Sequence, residues 1–488
     1  MSARLPLLCK TPFVLDDRPL VEATSPHAGL LGVSRVFRSL GLPGLIEANL
    51  DLRKRQRGFS VAQMVETICL LQTVGGECPD DIRLLANDDC LARGLGYQPP
   101  KATAVREFLE LFHEKDLEKL RPKREVQKSF IFPSSSSIAG LQQVQCGLVG
   151  RISKLYEKEG KARRIATVDQ DATIIESHKK AAYFHYDDGR GYQPMVAVWA
   201  EADLVLADEF RDGNVPALQA PLTCAQMAFA ALPSTVTQRY FRGDSACHEN
   251  QLIDWLKHPD RQNEPGGRIG FAISARMSEL LALALRKVAD ADWKTFGKED
   301  DGTLRQWAEV DYVPDAPYES KESQPLRYVG LRMLKAQGEL FADGTDRHFH
   351  AVLTNEKRQG DLLLDWHREK AGTIEHTHDE VKNELAGRHV PSQRFGVNSA
   401  WFKIALITYN IISAIKGLCL EGEERTARLK RFRLLLIHVA GRMNRNNCVM
   451  GLRLCNKVEV IKRMKKVWEV FDLPTQATAA TPLGRGSG

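Results

Sequence analysis

Between residues 61 and 74 the apolar side chains Val61, Met64, Val65, Ile68, Leu70, Leu71 and Val74 recur at close to a 3.6-residue period, which predicts an amphipathic helix. The stretches DDIRLLANDDCLARGLG and KATAVREFLELFHEKDLEKL predict two more, the second with Thr103 as its N-cap. From about residue 164 the pattern changes to strands. RRIATVDQDATII, GYQPMVAVWA and DLVLADEFR are three of them, punctuated by the turn signals Asp187-Asp188-Gly189 and Glu201-Ala202-Asp203. Residues 217–231 then read as a helix, STVTQRYFRGDS as a fourth strand ending at Asp244, HENQLIDWLKH as a helix and RIGFAISA as a fifth strand.

Three strands, helix, strand, helix, strand is the order of an RNase H-like core, a mixed α/β sheet flanked by helices. Its final helix is missing at that point. Residues 277–358 intervene, with probable strands RYVGLRMLKAQ and HFHAVLTN, and GTIEHTHDEVKNELAGR follows as the helix that completes the core. The expected organisation is a helical N-terminal DNA-binding region (1–120), a linker and connecting helix (121–160), the first part of the core (161–276), a β-rich insertion (277–358), the second part of the core (359–420) and a basic C-terminal helical region and tail (421–488). From pattern alone, the N-terminal helices serve equally well as a structural domain.

Charge adds a partner to this picture. The net charge is +6, yet Arg425–Val467 holds thirteen Lys or Arg against one acid, Glu459, leaving the rest of the chain near −6. A basic block on an otherwise acidic protein points to a polyanion such as DNA. Arg431, Arg433, Arg442 and Arg445, interleaved with Leu434–Ile437 and Val439, predict a helix with one buried face that binds phosphates with strong salt dependence. Arg53, Lys54 and Arg55 form a second basic run. The ten cysteines are scattered without a CxxC pair, which argues for free thiols in a reducing compartment and against structural zinc. No run of about 18 uninterrupted apolar residues and no signal-peptide pattern occurs, so a cytoplasmic, nucleoid-associated protein without a membrane span is expected. GxxxxGK[ST] and GxSxG are both missing, which removes support for ATP-driven chemistry and for a serine hydrolase.

Four acids carry the candidate chemistry. Asp169 and Asp171 lie two apart on the first strand and so face one side, flanked by Ile165 and Val168. A carboxylate on such an interior strand is costly unless it is paired or binds metal. Asp244 ends the fourth strand, and Glu375 begins the last helix. Hard oxygen ligands of this kind suit two divalent ions about 3.5–4 Å apart that cleave phosphodiesters without a covalent intermediate. Either Asp169 or Asp171 serves as the first ligand.

At these positions the chain resembles the DDE transposases of bacterial insertion sequences, close to the insertion-sequence 1380 group. Val168-Asp169-Gln170-Asp171-Ala172-Thr173 resembles that group's first-aspartate strand, Arg211-Asp212-Gly213-Asn214 its R-x-G-N turn and Arg242-Gly243-Asp244-Ser245-Ala246 its second-aspartate motif. Ile374-Glu375 with Lys382-Asn383 resembles its last-helix signature. The likeness runs from about residue 30 to 470 in the same motif order. It implies Asp171, rather than Asp169, with Asp244 and Glu375 as catalytic ligands of two Mg²⁺ or Mn²⁺ ions, and Lys382 at a DNA phosphate. It further implies excision and strand transfer at terminal inverted repeats, and a homodimer that pairs the two ends. The chain departs from the wider family where that family has tyrosine and arginine, since Arg368 and Ala371 stand there. Trp293 and Trp307 in the insertion are candidates to grip a flipped base, with core packing as their alternative role. A nuclease without strand transfer, or a DNA-binding protein with a lapsed site, are the competing expectations.

Overall fold

A computed structural model describes residues 16, 22–52, 58–126, 128–259, 261, 267–314, 326–336, 338–446, 449–455 and 457–473. The basic run Arg53, Lys54 and Arg55 lies outside them. The N-terminal region is helical, with α1 (Leu30–Ser39), α2 (Leu42–Asn49), α3 (Val61–Val74) and α4 (Ala102–Glu110), but DDIRLLANDDCLARGLG splits into short pieces at Arg83–Ala86 and Asp89–Leu95, and α4 ends before a separate turn at Lys115–Glu118. Ser60 and Gln63 close a reciprocal capping box at the start of α3, which is buried on nearly all sides. Thr103 is not the cap of α4. The helix starts at Ala102 with Lys101 in the cap position, because Pro99-Pro100 holds the chain extended until that residue. The polar stretch from 121 leads into α5 (Ser136–Lys158), where Ser135 accepts from the Ile138 amide as N-cap.

The core strands are β1 (Ile165–Ala172), β2 (Met195–Trp199), β3 (Leu204–Glu209), β4 (Gln238–Gly243) and β5 (Ile269–Ser274), with α6 (Pro221–Ala231) before β4 and α7 (Asn250–Lys257) after it. They align in the order β3-β2-β1-β4-β5. The β1–β2 and β2–β3 pairs are antiparallel, whereas β1–β4 and β4–β5 are parallel. This is the RNase H-like arrangement, and its parallel centre is buried as such sheets require.

The segment between β5 and the last core helix is not an appendage. After α8 (Glu279–Lys287), the strands β6 (Lys294–Lys298), β7 (Leu304–Val310), β8 (Arg327–Leu334) and β9 (Arg347–Thr354) form an antiparallel meander. β9 pairs antiparallel with β5, Val352 opposite Ser274, so one sheet runs through nine strands of the described residues.

The chain then enters a long helix in two pieces, α9 (Gly360–Lys370) and α10 (His376–Glu384), joined without a break by a π-turn at Ala371–Glu375. Gly360 begins it where any Cβ would strike the Trp307 ring on β7, so the helix sits directly on the inserted strands. Next comes α11 (Phe395–Cys419), whose 25 residues are all buried. It is long and apolar enough to cross a membrane. Inside this protein its polar groups have partners: Lys403 donates to Asp208 (2.5 Å) and Gln142 (3.0 Å), and Asn410 bonds the backbone amide and carbonyl of Val205.

The C-terminal segment departs from the single helix that its arginines and leucines predict. A short helical turn at Leu429–Phe432 runs into a π-turn at Arg433–Ile437 and stops. The chain returns as a hairpin, β10 (Gly441–Asn446) and β11 (Val449–Leu454), before α12 (Val458–Val470). The hairpin pairs with Thr24–Ser25, and Gly441 lies so close to Ala28 that a Cβ there would come within 2.6 Å of it.

The Lys403–Asp208 pair is buried on both sides, at 3% and 0% side-chain exposure. Lys403→Met should therefore cost about 3–5 kcal/mol by stranding the Asp208 charge. Adding Asp208→Asn should restore part of that loss, and urea unfolding of the single and double variants measures both.

Candidate active site

Asp169 and Asp171 diverge in role although they share a strand. Asp169 is fully buried, and both of its oxygens accept from the Arg242 guanidinium, at 2.7 and 2.9 Å. The Thr373 hydroxyl, in the π-turn, donates to it as well. Arg242 also donates to the Trp366 carbonyl (2.5 Å) and to Glu369 (3.1 Å) on α9. Asp169 thus ties β1, β4 and the final helix together through three hydrogen bonds. Asp171 lies beyond it, at the end of β1. One of its oxygens accepts from the Ala172 amide (2.8 Å) and the other from the Lys370 ammonium (2.9 Å).

Asp244 follows β4, the parallel neighbour of β1, and accepts from the Ala246 amide (3.0 Å). Burial pushes its carboxyl above the ordinary range, the nearby Asp171 charge pushes it further, and Lys370 pulls partly back. For Lys370 itself burial works against the charge, but Asp171 and Asp244 outweigh it and hold the ammonium above its usual value. The two aspartates are therefore neighbours across the parallel pair, with one lysine charge between them. Glu375, at the end of the π-turn, is exposed and lines the same cleft as Asp244 and Lys370, a space of about 790 Å³.

The cleft has two kinds of wall. Asp244 and Glu375 lie on the core side. Arg305 and Leu331, Met333, His350 and Val352 come from the inserted strands, and Arg276, Met277 and Arg368 complete the lining. Arg368 donates to Glu299 (3.0 Å), and Arg305 approaches Glu299 (3.7 Å) and Asp365 (3.3 Å). Arg276 has no carboxylate partner among the described residues, and its backbone amide donates to His248 Nδ1 (2.7 Å). His367 Nε2 bonds the Gly243 carbonyl (3.0 Å), which can only accept, so the ring donates there. Burial lowers its pKa to about 4, which keeps it neutral.

The other sequence candidates are placed as follows. Lys382 donates to Thr173 Oγ1 (3.1 Å), next to the β1 motif, whereas Asp379 is taken by Arg428 and Asn383. Arg431 is exposed. Arg433 donates to the carbonyls of Gln72, Thr73 and Glu384, and Arg442 pairs with Glu22 at the surface. Arg445 falls in β10 rather than in a helix. Trp293 and Trp307 are 6% and 7% exposed. Trp293 packs against Phe349 and under Arg332, and Trp307 lies under Lys294 and against Gly360, so both are core residues and not free to grip a base. The Arg211-Asp212-Gly213-Asn214 turn is structural too. Arg211 is buried on Glu209 and on the Gln219 and Ala220 carbonyls, Asp212 holds Arg121, and Asn214 donates to the Lys128 carbonyl.

Sequence reasoning missed Lys370, Arg276, Arg305 and His367. Lys370 is five residues before Glu375, and on a regular α-helix that offset turns the two side chains roughly 140° apart. The i→i+5 bonding of the π-turn returns them to one cleft. No side-chain periodicity announces such a turn.

Among the described residues no three His, Cys, Asp or Glu side chains converge closely enough to hold a metal ion. The donor chemistry nevertheless fits a divalent cation. Asp171, Asp244 and Glu375 are hard oxygen donors, and the aspartate pair already attracts a positive charge, that of the Lys370 ammonium.

The family described as Transposase DDE domain group 1 matches residues 22–473. No curated protein sequence matches the chain. Among solved structures, the cryo-EM structure of a piggyBac transposase synaptic complex with hairpin DNA is similar at 10% sequence identity and a TM-score of 0.41, over 84% of this chain and 80% of that one.

The different settings of the two β1 aspartates can be separated by stability. Asp169→Asn should cost about 3–5 kcal/mol, because Arg242 loses its buried partner. Asp171→Asn should stay within about 1 kcal/mol, because Asp244 still neutralises Lys370 and a like-charge repulsion is relieved. Guanidinium unfolding of both variants tests this, and equal losses would contradict the division of roles.

Proposed function

The chain belongs to the family Transposase DDE domain group 1, and from that membership and the geometry of the cleft we propose that it excises and inserts a bacterial insertion sequence of the 1380 group by cut-and-paste chemistry at terminal inverted repeats. The observation that carries the reading is the meeting of Asp171 and Asp244 at the ends of adjacent parallel strands, with Glu375 on the same cleft. Ends of parallel strands in an open α/β sheet are where ligands bind.

Asp171, Asp244 and Glu375 would hold two Mg²⁺ or Mn²⁺ ions. Bound there, such ions would supply Lewis-acid activation of water and charge stabilisation for the leaving oxygen. The protein's own part is to orient and neutralise. Arg276, Arg305 and Arg368 line the cleft; Arg276, without a carboxylate partner among the described residues, is the cation offered to a phosphodiester backbone, whereas Arg305 and Arg368 would first have to leave Glu299. Leu331, Met333 and Val352 add apolar side chains to the wall that the inserted strands contribute. Lys382, beside Thr173, stands one step from the β1 motif as a further phosphate contact. Arg368 takes the place of the family tyrosine, where its guanidinium is paired with Glu299 on the cleft wall. Two copies of the chain, each on one end of the element, form the synaptic complex.

Alanine at Asp171, Asp244 or Glu375 should lower Mg²⁺-dependent nicking and joining of inverted-repeat DNA by about a hundredfold or more, with the far-ultraviolet dichroism unchanged. Full activity in any one of the three removes that residue from the site. Nicking without joining by the wild-type chain would reduce the function to that of a nuclease. Arg276→Ala should weaken DNA binding for all sequences alike and flatten the dependence of log K on log[salt] by about 0.9, the release from one phosphate contact. Titrations at several salt concentrations read that slope directly.

A further inference from the structure

Lys370 is assigned no role by the motifs of the chain, yet it is paired with Asp171 and lines the cleft beside Asp244. Its ammonium lies 2.9 Å from Asp171 Oδ2, and only 9% of its side chain is exposed. It shares the cleft lining with Asp244 and Glu375. A lysine rarely accepts such burial without compensation. Here the compensation is electrostatic, because its single positive charge offsets part of the repulsion between two like charges at the ends of β1 and β4.

We infer that Lys370 is the resident counter-ion of the Asp171–Asp244 pair, a positioning residue whose ammonium competes with the divalent metal for that pair. This rests on the metal-dependent reading of the site and adds to it a step of exchange. A divalent ion that enters must displace the ammonium from Asp171. The displaced ammonium remains on the cleft that its side chain already lines, where the substrate phosphate would lie, so metal entry presents a cation to the DNA backbone. Without metal, the lysine offsets part of the repulsion between the two aspartates and preserves the alignment of β1, β4 and the final helix.

Mn²⁺ binding to the full-length chain, measured by calorimetry without DNA, tests the inference. Lys370→Met should bind Mn²⁺ about tenfold more tightly than wild type, within the range by which residues around a metal alter its affinity. Lys370→Arg, which keeps the competing charge, should stay near wild type. Thermal unfolding supplies a second readout. Lys370→Met should melt lower than wild type without metal and gain more from added Mn²⁺, because the ion replaces the lost charge. A lysine that merely supports the fold would lower the melting temperature equally with and without Mn²⁺. Should the Met variant not fold, Lys370→Gln carries the same comparison. Unchanged or weaker Mn²⁺ binding in the uncharged variant overturns the inference while leaving the metal site intact. Undiminished Mn²⁺ binding in Asp244→Ala, or no binding by wild type and Lys370→Met alike, overturns the metal reading itself.

Discussion

The Arg242 guanidinium binds together the three segments that carry the acidic cleft. It grips both oxygens of Asp169 on β1, belongs itself to β4, and donates to the Trp366 carbonyl and to Glu369 on α9. Because β1 and β4 run parallel with Asp169 directly beside Arg242, the residues two further on, Asp171 at the end of β1 and Asp244 just after β4, emerge side by side. Removing either member of so buried a pair would strand a charge, which is why the pair specifies geometry more than it contributes net stability. The contact is therefore a jig for the site. Asp169, held by Arg242 and Thr373, fixes where Asp171 stands.

The helix side of the cleft depends on a different device. A continuous α-helix from Gly360 to Glu384 would send Lys370 and Glu375 to different faces. The π-turn at Ala371–Glu375 absorbs one extra residue, and the Thr373 hydroxyl within it bonds both Asp169 and the Lys370 carbonyl. Such single π-turns concentrate at functional sites because they disturb an otherwise regular ladder. Here the disturbance is anchored to the same aspartate that aligns the strands, so strand register and helix phase share one reference point.

Much of this was legible in the sequence, for identifiable reasons. The five core strands and their order follow from period-two and β-branched patterns bounded by turn residues, and each strand lies where those patterns place it. Asp171 and Asp244 are readable as strand-end acids. Other features were hidden because their causes are non-local. α11 is apolar on every side, so it has no amphipathic stripe to mark its period. β6 and β7 earn their strand conformation from the neighbours they pair with, and the joining of β9 to β5 reaches across some eighty residues of chain. The run Leu434–Ile437 looks helical, but it ends in a π-turn because the chain must return at Gly441 to pair with Thr24–Ser25. Arg433 and Arg442 read as phosphate contacts because charge is visible in sequence, whereas the carbonyls and the glutamate they bond are not.

The continuity of the sheet has a consequence for how a polyanion would sit in the cleft. Were the inserted strands a separate lobe, cations and carboxylates could move relative to one another, and a phosphate held by the first would have no fixed distance to the second. Instead β9 is hydrogen-bonded to β5, β5 to β4, and β4 to β1. Arg305 on β7 and Asp244 after β4 are thus set on one backbone lattice, and α9 lies across that lattice with Gly360 pressed on Trp307 at one end and Lys370 against Asp171 at the other. A rigid mount of this sort is what positional catalysis needs, since displacements of about 1 Å between a bound phosphate and its catalytic groups cost on the order of a hundredfold in rate. The insertion therefore contributes less as a source of gripping aromatics, both of which it buries, than as an extension of the ruler on which the acidic residues are already placed.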